Sequence, residues 1–286
     1  MIVVKLKGGL GNQMFQYAAG RALSHRIGTK LLLDASAFPD NNNREFGLGK
    51  FRINARVAEA EELTAWPEWK RKPCEWLQRV GISTNRYREL KNGFNSNWNS
   101  LDDGLGIEGY FQSEKYFSDA RDVLLSDFQL VVPLESEALR LAEMAKNCDS
   151  IMLHVRRGDY ISNPKAAAQM GLCDHEYYRK AVDKISSTVN NPQYFVFSDD
   201  LNWVRENMVL PGEPVYVSGH MDAPEIDIML MAQCRHHIIA NSSFSWWGAW
   251  LSQHAGGRVI APQPWFARED TIDRNIYCAH WDLIEK

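Results

Sequence analysis

Ile151-Met152-Leu153-His154-Val155-Arg156-Arg157-Gly158-Asp159-Tyr160 opens apolar and ends in a dense polar cluster. The apolar half reads as a short buried strand. Two adjacent arginines follow it, flanked by His154 and Asp159, with Gly158 between. A guanidinium gives bidentate contacts to phosphate and stays charged, so the pair reads as a site for a multiply charged anion. A solvated loop with an Arg–Asp ion pair is the competing reading. Strand C-terminal ends are where open α/β sheets bind ligands.

Downstream the rhythm is regular. Helical periodicity covers 176–189 and 201–207, and again 223–234 with Ile226, Met229 and Leu230 on one face. Strand-like runs occupy 194–197, 215–217, 237–240 and 258–261, the last closed by Pro262. Alternating strands and helices predict a parallel sheet with right-handed crossovers. Three strands end in distinctive polar runs: Arg156-Arg157, Ser198-Asp199-Asp200 and Asn241-Ser242-Ser243-Phe244-Ser245. In a parallel sheet such ends share one edge, so the three runs are predicted to converge on one cleft.

Upstream, Ile2–Leu6 and Lys30–Asp34 read as strands around a helix over 14–23, with Gly8-Gly9-Leu10-Gly11-Asn12-Gln13 as the loop feeding it. Such loops can offer backbone N–H groups to an anion. The dinucleotide fingerprint is only half present: Gly9 and Gly11 fit, but Met14 stands where the third glycine belongs. An NAD site is therefore discounted, and Asn12 and Gln13 become candidate ligand contacts. Residues 58–66 read as a helix stopped by Pro67, and 105–111 as a strand. Residues 136–146 read as an amphipathic helix with Leu139, Leu141 and Met144 apolar. The chain is thus divided into 1–147 and 148–286. Trp66, Trp69, Trp76 and Trp98 form either a wall for a sugar or aromatic packing.

The 286 residues suffice for two α/β domains, and 45% apolar with 24% charged residues describe an ordinary globular chain. A net charge of −4 without a basic tract argues against nucleic acid as a partner. The five cysteines (Cys74, Cys148, Cys173, Cys234, Cys278) form no CxxC pair, and their odd number fits a reducing compartment. Cys234-Arg235-His236-His237 has no second cluster to complete a zinc site, so no metal is expected. No signal peptide or membrane span is read at the N-terminus, and a cytoplasmic location is expected. Asn241-Ser242-Ser243 matches a glycosylation pattern that such a location leaves without effect.

The three strand ends have the chemistry a nucleotide sugar needs. Arg156 and Arg157 offer charge to a pyrophosphate. Ser242, Ser243 and Ser245 offer hydroxyls and the N–H groups of a helix start. A carboxylate can accept from the N1 and N2 hydrogens of guanine, and Asp199 or Asp200 could serve. N-capping of the next helix is the competing role for that run, and Ser198 belongs to it.

Gly8-Gly9-Leu10-Gly11-Asn12-Gln13-Met14-Phe15-Gln16-Tyr17-Ala18, His154-Val155-Arg156-Arg157-Gly158-Asp159-Tyr160 and Asn241-Ser242-Ser243-Phe244-Ser245-Trp246-Trp247-Gly248-Ala249-Trp250 resemble the signatures of the α-1,2-fucosyltransferase family. Phe197-Ser198-Asp199-Asp200 and Asp227-Ile228-Met229-Leu230-Met231-Ala232-Gln233-Cys234 resemble it too, in the same order along nearly the whole chain. The resemblance implies a bacterial member with a GT-B-like fold, two Rossmann-like domains facing across a cleft. The C-terminal domain would bind GDP-β-L-fucose and the N-terminal domain the acceptor. It implies inverting transfer to the 2-hydroxyl of a terminal galactose, without a metal or other cofactor. The acceptor could be lipid-linked, with the enzyme at the inner membrane face.

By the same resemblance Arg156 holds the β-phosphate and His154 the nucleoside. An aspartate of the 198–200 run holds guanine, and Ser243, Phe244 and Ser245 line the phosphates. Asn12 reaches in, with Gly9, Gly11 and Gln13 beside it. Asp159 is the nearest candidate base, its competing role being to orient Arg156 or Arg157; Asp34 is a second candidate. Transfer with another linkage or another GDP-sugar stays open. A non-catalytic glycan- or nucleotide-sugar-binding protein needs no phosphate-neutralising arginine, so the Arg pair argues against it.

Overall fold

The computed structural model describes residues 1–38, 45–64, 86–89, 93–158, 167–168, 170–220, 222–267 and 275–286. Two compact units divide between Val132 and Pro133, with Asn275 and Ile276 grouped in the first. That division lies ahead of the 147/148 boundary read from the sequence.

In the first unit, β1 (Ile2–Lys5), β2 (Leu31–Asp34), β3 (Arg56–Val57), β4 (Arg86–Arg88) and β5 (Leu105–Glu108) form a parallel sheet in the order β3-β2-β1-β5-β4. Ile2, Val3, Val4, Leu31, Leu32 and Leu33 are all buried, as strands covered on both faces must be. Helix α1 (Leu10–Ile27) lies against them. Gly20 permits that approach, since a Cβ there would sit 2.2 Å from Val4 Cγ2. The helix stops at Gly28, which has φ +74, with the Thr29 N–H donating to Ser24 O at 2.9 Å. Helices α2 (Ala60–Thr64) and α3 (Arg121–Asp127) are short. Trp98 is fully buried, its Nε1 donating to Tyr116 O at 3.2 Å, so it is a packing residue and not a sugar wall. Trp66, Trp69, Trp76 and the expected stop at Pro67 lie outside the described residues.

The second unit begins with α4 (Ser136–Lys146), whose bounds match the sequence reading, although Ala138, Leu141, Ala142 and Ala145 face inward and Leu139 is exposed. There follow β6 (Ser150–Val155), α5 (His175–Ser186), β7 (Gln193–Ser198), α6 (Leu201–Asn207), β8 (Val215–Tyr216) and α7 (Pro224–Gln233). The chain ends with β9 (His236–Ile238), α8 (Ser243–Leu251), β10 (Val259–Gln263) and β11 (Asp282–Glu285). On α7, Ile228 and Leu230 are buried while Ile226 and Met229 are half-buried. The sheet is parallel in the order β11-β10-β9-β6-β7-β8. Ile151, Leu153 and Val155 of β6 share a core with Tyr177, Tyr178, Ala181 and Ile185 of α5. Gly248 lets α8 close on α7, since a Cβ would lie 2.6 Å from Met231 Cβ.

In both sheets the chain runs outward to one side and then restarts on the other. The order reverses between β1 and β5 in the first unit and between β6 and β9 in the second. Open parallel sheets bind ligands outside the strand C-termini at such a switch point. Among the described residues no helix is long and apolar enough to cross a membrane. Cys148, Cys173 and Cys234 are free thiols.

Candidate active site

Strand β6 lies between β9 and β7, with Leu153 opposite Ile238 and Val155 opposite Ser198. The three polar runs therefore leave adjacent strands on one edge, as their spacing predicts. His154 and Arg156 on one side and Asn241–Ser245 on the other flank the switch point.

Asp199 organises the turn after β6. Its Oδ1 accepts the Arg157 N–H at 2.9 Å and its Oδ2 the Gly158 N–H at 3.0 Å. Arg156 Nη1 lies 3.1 Å from the same Oδ2. A Cβ at Gly158 would stand 2.9 Å from that oxygen, so the Asp199 carboxylate would have to shift to admit one. Asp200 caps α6, accepting the Trp203 N–H at 3.1 Å, and Ser198 Oγ accepts the Asp200 N–H at 2.9 Å. All three side chains of the 198–200 run thus hold backbone. The N-capping role is thus seen for Asp200, whose side chain is 39% exposed and whose Oδ2 faces Arg157 Nε at 3.5 Å.

The two arginines differ. Arg157 stacks on Trp203, its guanidinium carbon 3.8 Å from the ring centroid, with Nε 3.5 Å from Asp200 Oδ2. That Nε is buried without a hydrogen-bond partner among the described residues. Arg156 keeps 30% of its side chain exposed at the edge. Arg156 is thus the more open of the two at the edge, and Arg157 is packed against Trp203.

His154 is buried, and its Nδ1 has no hydrogen-bond partner among the described residues. Its carbonyl accepts from the Tyr178 hydroxyl at 3.2 Å, and its ring stands 6.0 Å from that of Phe244. Burial first, and then the Arg156 charge, push the imidazole down to about 3. His154 is therefore neutral at physiological pH. An orphaned buried nitrogen costs about 1–3 kcal/mol and calls for a ligand or water atom to satisfy it.

Ser242 caps α8, its Oγ accepting the Phe244 N–H at 3.3 Å. Ser243 and Phe244 are half-buried in the first turn, which carries no acidic residue. The positive end of the helix dipole is thus left for an anion. Ser245 is fully buried, with Oγ 3.4 Å from both Ala240 O and Ser242 O, so it packs inside the turn. Asn241 is also internal: its Nδ2 donates toward Met170 O, Gly171 O and Trp265 O at 2.8, 3.0 and 3.0 Å. Both were expected to contact substrate, and both are bound up in shaping the turn. Asp159 lies outside the described residues.

The first unit has its own polar edge. Helix α1 starts earlier than expected, so Gly9 is its N-cap and Gly11, Asn12 and Gln13 stand in its first turn. Gln13 is fully buried, its amide donating to Gly8 O and Glu45 O at 3.0 and 2.8 Å and accepting from the Gly47 N–H at 2.9 Å. It is a brace. Asn12 is half-buried and accepts from Gln112 Nε2 at 2.8 Å, joining the β1 and β5 ends across the switch point. Gly8, with φ +82, turns the chain beside it; a Cβ would meet Asn12 Nδ2 at 2.8 Å. Asp34, the second candidate base, is buried and accepts the Ser36 N–H at 3.0 Å.

Several groups escaped the sequence reading. Lys7 Nζ lies 4.6 Å from the Tyr110 ring centroid, and burial lowers its pKa. Glu89 Oε2 accepts the Tyr110 and Phe111 N–H groups at 2.8 and 2.9 Å, holding Phe111 at φ +53; burial pushes this carboxyl up. Glu89 follows the three-residue β4, too short to show alternation. Asp227 accepts from His220 twice, from the backbone N–H at 3.1 Å and at Nδ1 at 2.7 Å, and burial raises it. Its motif was visible in the sequence, but the tie to His220 comes from the turn after β8. Among the described residues no group of His, Cys, Asp or Glu gathers as a metal site.

Comparison with known proteins agrees with this geometry. The profile of glycosyl transferase family 11 matches residues 1–285. An alpha-1,2-colitosyltransferase of Escherichia coli is 33% identical over 100% of this chain and 99% of its own length. An O-antigen biosynthesis glycosyltransferase of the same organism, WbnK, is 32% identical over 92% and 94%. The mouse galactoside 2-alpha-L-fucosyltransferase Sec1 is 27% identical over 91% of this chain and 66% of that protein. Among solved structures, the NodZ alpha-1,6-fucosyltransferase soaked with GDP-fucose superposes with a TM-score of 0.53 at 14% identity, covering 92% of this chain and 94% of that one. That likeness shows the fold, a GT-B-like α/β architecture.

Proposed function

Because the chain belongs to glycosyl transferase family 11, we propose that this glycosyltransferase moves L-fucose from GDP-β-L-fucose to the 2-hydroxyl of a terminal galactose, with inversion. The observation that carries the reading is the switch point between β6 and β9. A neutral His154 whose Nδ1 has no hydrogen-bond partner among the described residues, a part-exposed Arg156 and a first turn of α8 without an acidic residue stand there together. They match a nucleoside, a phosphate and a second phosphate oxygen.

As the bond between fucose C1 and the β-phosphate oxygen lengthens, positive charge grows on the sugar and negative charge on the phosphate. Arg156, aimed by Asp199, and the α8 dipole stabilise the leaving group. One such contact is worth ~3 kcal/mol, or ~10²-fold in rate. These cationic groups belong to the protein, so transfer should continue in excess chelator. The acceptor hydroxyl attacks from the opposite face and loses its proton to a base, for which Asp159 and Asp34 are the candidates. We assign the acceptor to the first unit, at the edge carrying Asn12, Gln112, Lys7 and Tyr110. A lipid-linked galactoside, met by a cytoplasmic enzyme at the inner membrane face, fits the O-antigen role in the name of one relative.

Incubation with GDP-fucose and a panel of β-galactosides, followed by mass and linkage analysis, tests the reading. An α-1,2-linked product is expected; transfer to another hydroxyl, or none to any galactoside, overturns it. A second reading changes only the sugar. The full-length likeness to a colitosyltransferase favours testing GDP-colitose, which lacks the 3-hydroxyl of fucose. The ratio of kcat/KM for the two donors decides between them.

A further inference from the structure

Two side chains from distant parts of the sequence converge on one carbonyl cluster beside the β9–α8 turn. Asn241 Nδ2 has Met170 O, Gly171 O and Trp265 O within 3.0 Å. An amide nitrogen carries two hydrogens, so it cannot give each of three carbonyls its own. Lys286 Nζ lies 2.6 Å from Met170 O and 3.3 Å from Trp265 O, and its three donors complete the set.

The lysine is held for this task. Its backbone N–H donates to Gln263 O at 3.0 Å, continuing the pairing of β11 with β10. Gly171, with φ +66, turns the chain around the ammonium; a Cβ there would come within 3.3 Å of Nζ. The Asn241 oxygen is engaged as well, accepting from the Cys173 thiol at 3.4 Å. Asn241 is thus fixed at both ends of its amide, and the next residue, Ser242, caps α8.

We propose that Lys286 is a positioning residue for the donor site. Its ammonium donates to the carbonyl cluster that holds Asn241, and Asn241 sets the backbone from which Ser242 and Ser243 open α8. This rests on the donor role proposed for that turn. Lys286 itself touches no substrate; it acts through the asparagine.

The test uses the full chain with Lys286→Met, Lys286→Ala and Lys286→Arg, each checked for folding by its Tm. GDP binding is measured by calorimetry, and KM is measured separately for donor and acceptor. The Met and Ala variants are expected to bind GDP about tenfold more weakly, the scale of one charge-assisted hydrogen bond, with acceptor KM unchanged. Lys286→Arg should recover most of the affinity. Potassium or methylammonium should partly restore Lys286→Ala, whereas choline at the same ionic strength should not. Equal GDP affinity in wild type and Lys286→Met overturns the inference alone. So does a loss shared equally by donor and acceptor parameters and unmoved by small cations, which marks packing only. A wild-type protein that binds no GDP overturns the donor reading, and the inference falls with it.

Discussion

Asp199→Asn separates two roles for the aspartate that follows β7. In the structure its oxygens hold the Arg157 and Gly158 N–H groups at 2.9 and 3.0 Å, and Arg156 Nη1 stands at 3.1 Å. Asparagine keeps one acceptor and turns an NH₂ toward the other N–H. One hydrogen bond to a charged acceptor is lost, about 1.5–3 kcal/mol. The part-exposed pairing with Arg156 adds no more than about 1 kcal/mol. A total near 3 kcal/mol falls on the ordered form of the turn that presents Arg156. Since ~1.4 kcal/mol is a factor of ten, kcat/KM for the donor should drop about 10²-fold. With Asp199 acting as a brace alone, preference for GDP over ADP should survive. Initial transfer rates, with GDP and ADP as competing inhibitors, measure both quantities. Retained turnover with lost discrimination between the two nucleotides would refute the brace and return Asp199 to the guanine edge.

Four further variants have outcomes set by the same geometry. Arg156→Ala should lower kcat about 10²-fold in single-turnover transfer, the usual effect of removing one group that stabilises developing charge, whereas Arg157→Lys, losing its stack on Trp203, should mainly lower Tm. His154 binds its proton only near pH 3, while an unfolded chain binds one near pH 6.5. The unfolded state therefore holds more protons in that window, and stability is complete above it and declines as pH falls through it. The Tm difference between pH 7.5 and pH 5 should shrink in His154→Gln. Gly20→Ala puts a methyl 2.2 Å from Val4 Cγ2 and should cost about 1–3 kcal/mol in urea unfolding, with donor affinity unchanged.

The second unit was readable because its strands are long apolar runs separated by amphipathic helices. The bounds of α4 and α6 match their predicted limits, and the β9-β6-β7 adjacency brings together the runs expected to meet. The first unit was harder. Strand β3 is a pair of exposed residues, Arg56 and Val57, and β4 is Arg86–Arg88; neither offers a pattern longer than a turn. The start of α1 was placed late because glycine is a poor helix former, yet Gly11 lies inside the first turn, where Gln13 ties Gly8 to Glu45. Side-chain roles were least legible. Asp199, Asn241, Ser245 and Gln13 have the chemistry of ligand contacts, and spacing alone cannot tell a donor aimed at substrate from one aimed at a carbonyl of the same fold. The tie between Glu89 and Phe111 depends on a left-handed backbone that no local pattern announces.

A consequence follows for how the donor edge holds its shape. Strand ends in a parallel sheet carry backbone groups with no ladder partner, and each must be satisfied if it is buried. Here the polar runs satisfy one another's backbone: Asp199 from β7 holds the turn after β6, and Asn241 after β9 holds the carbonyls of Met170 and Trp265. What this bracing leaves at the edge is a part-exposed Arg156, a His154 Nδ1 without a hydrogen-bond partner among the described residues, and the first turn of α8. Rigidity of the bracing residues is what holds the Arg156 guanidinium in place beside Asp199. Losing a brace should therefore cost rate through misplacement of Arg156, a displacement of the kind that can reduce turnover ~10²-fold without touching the reacting atoms.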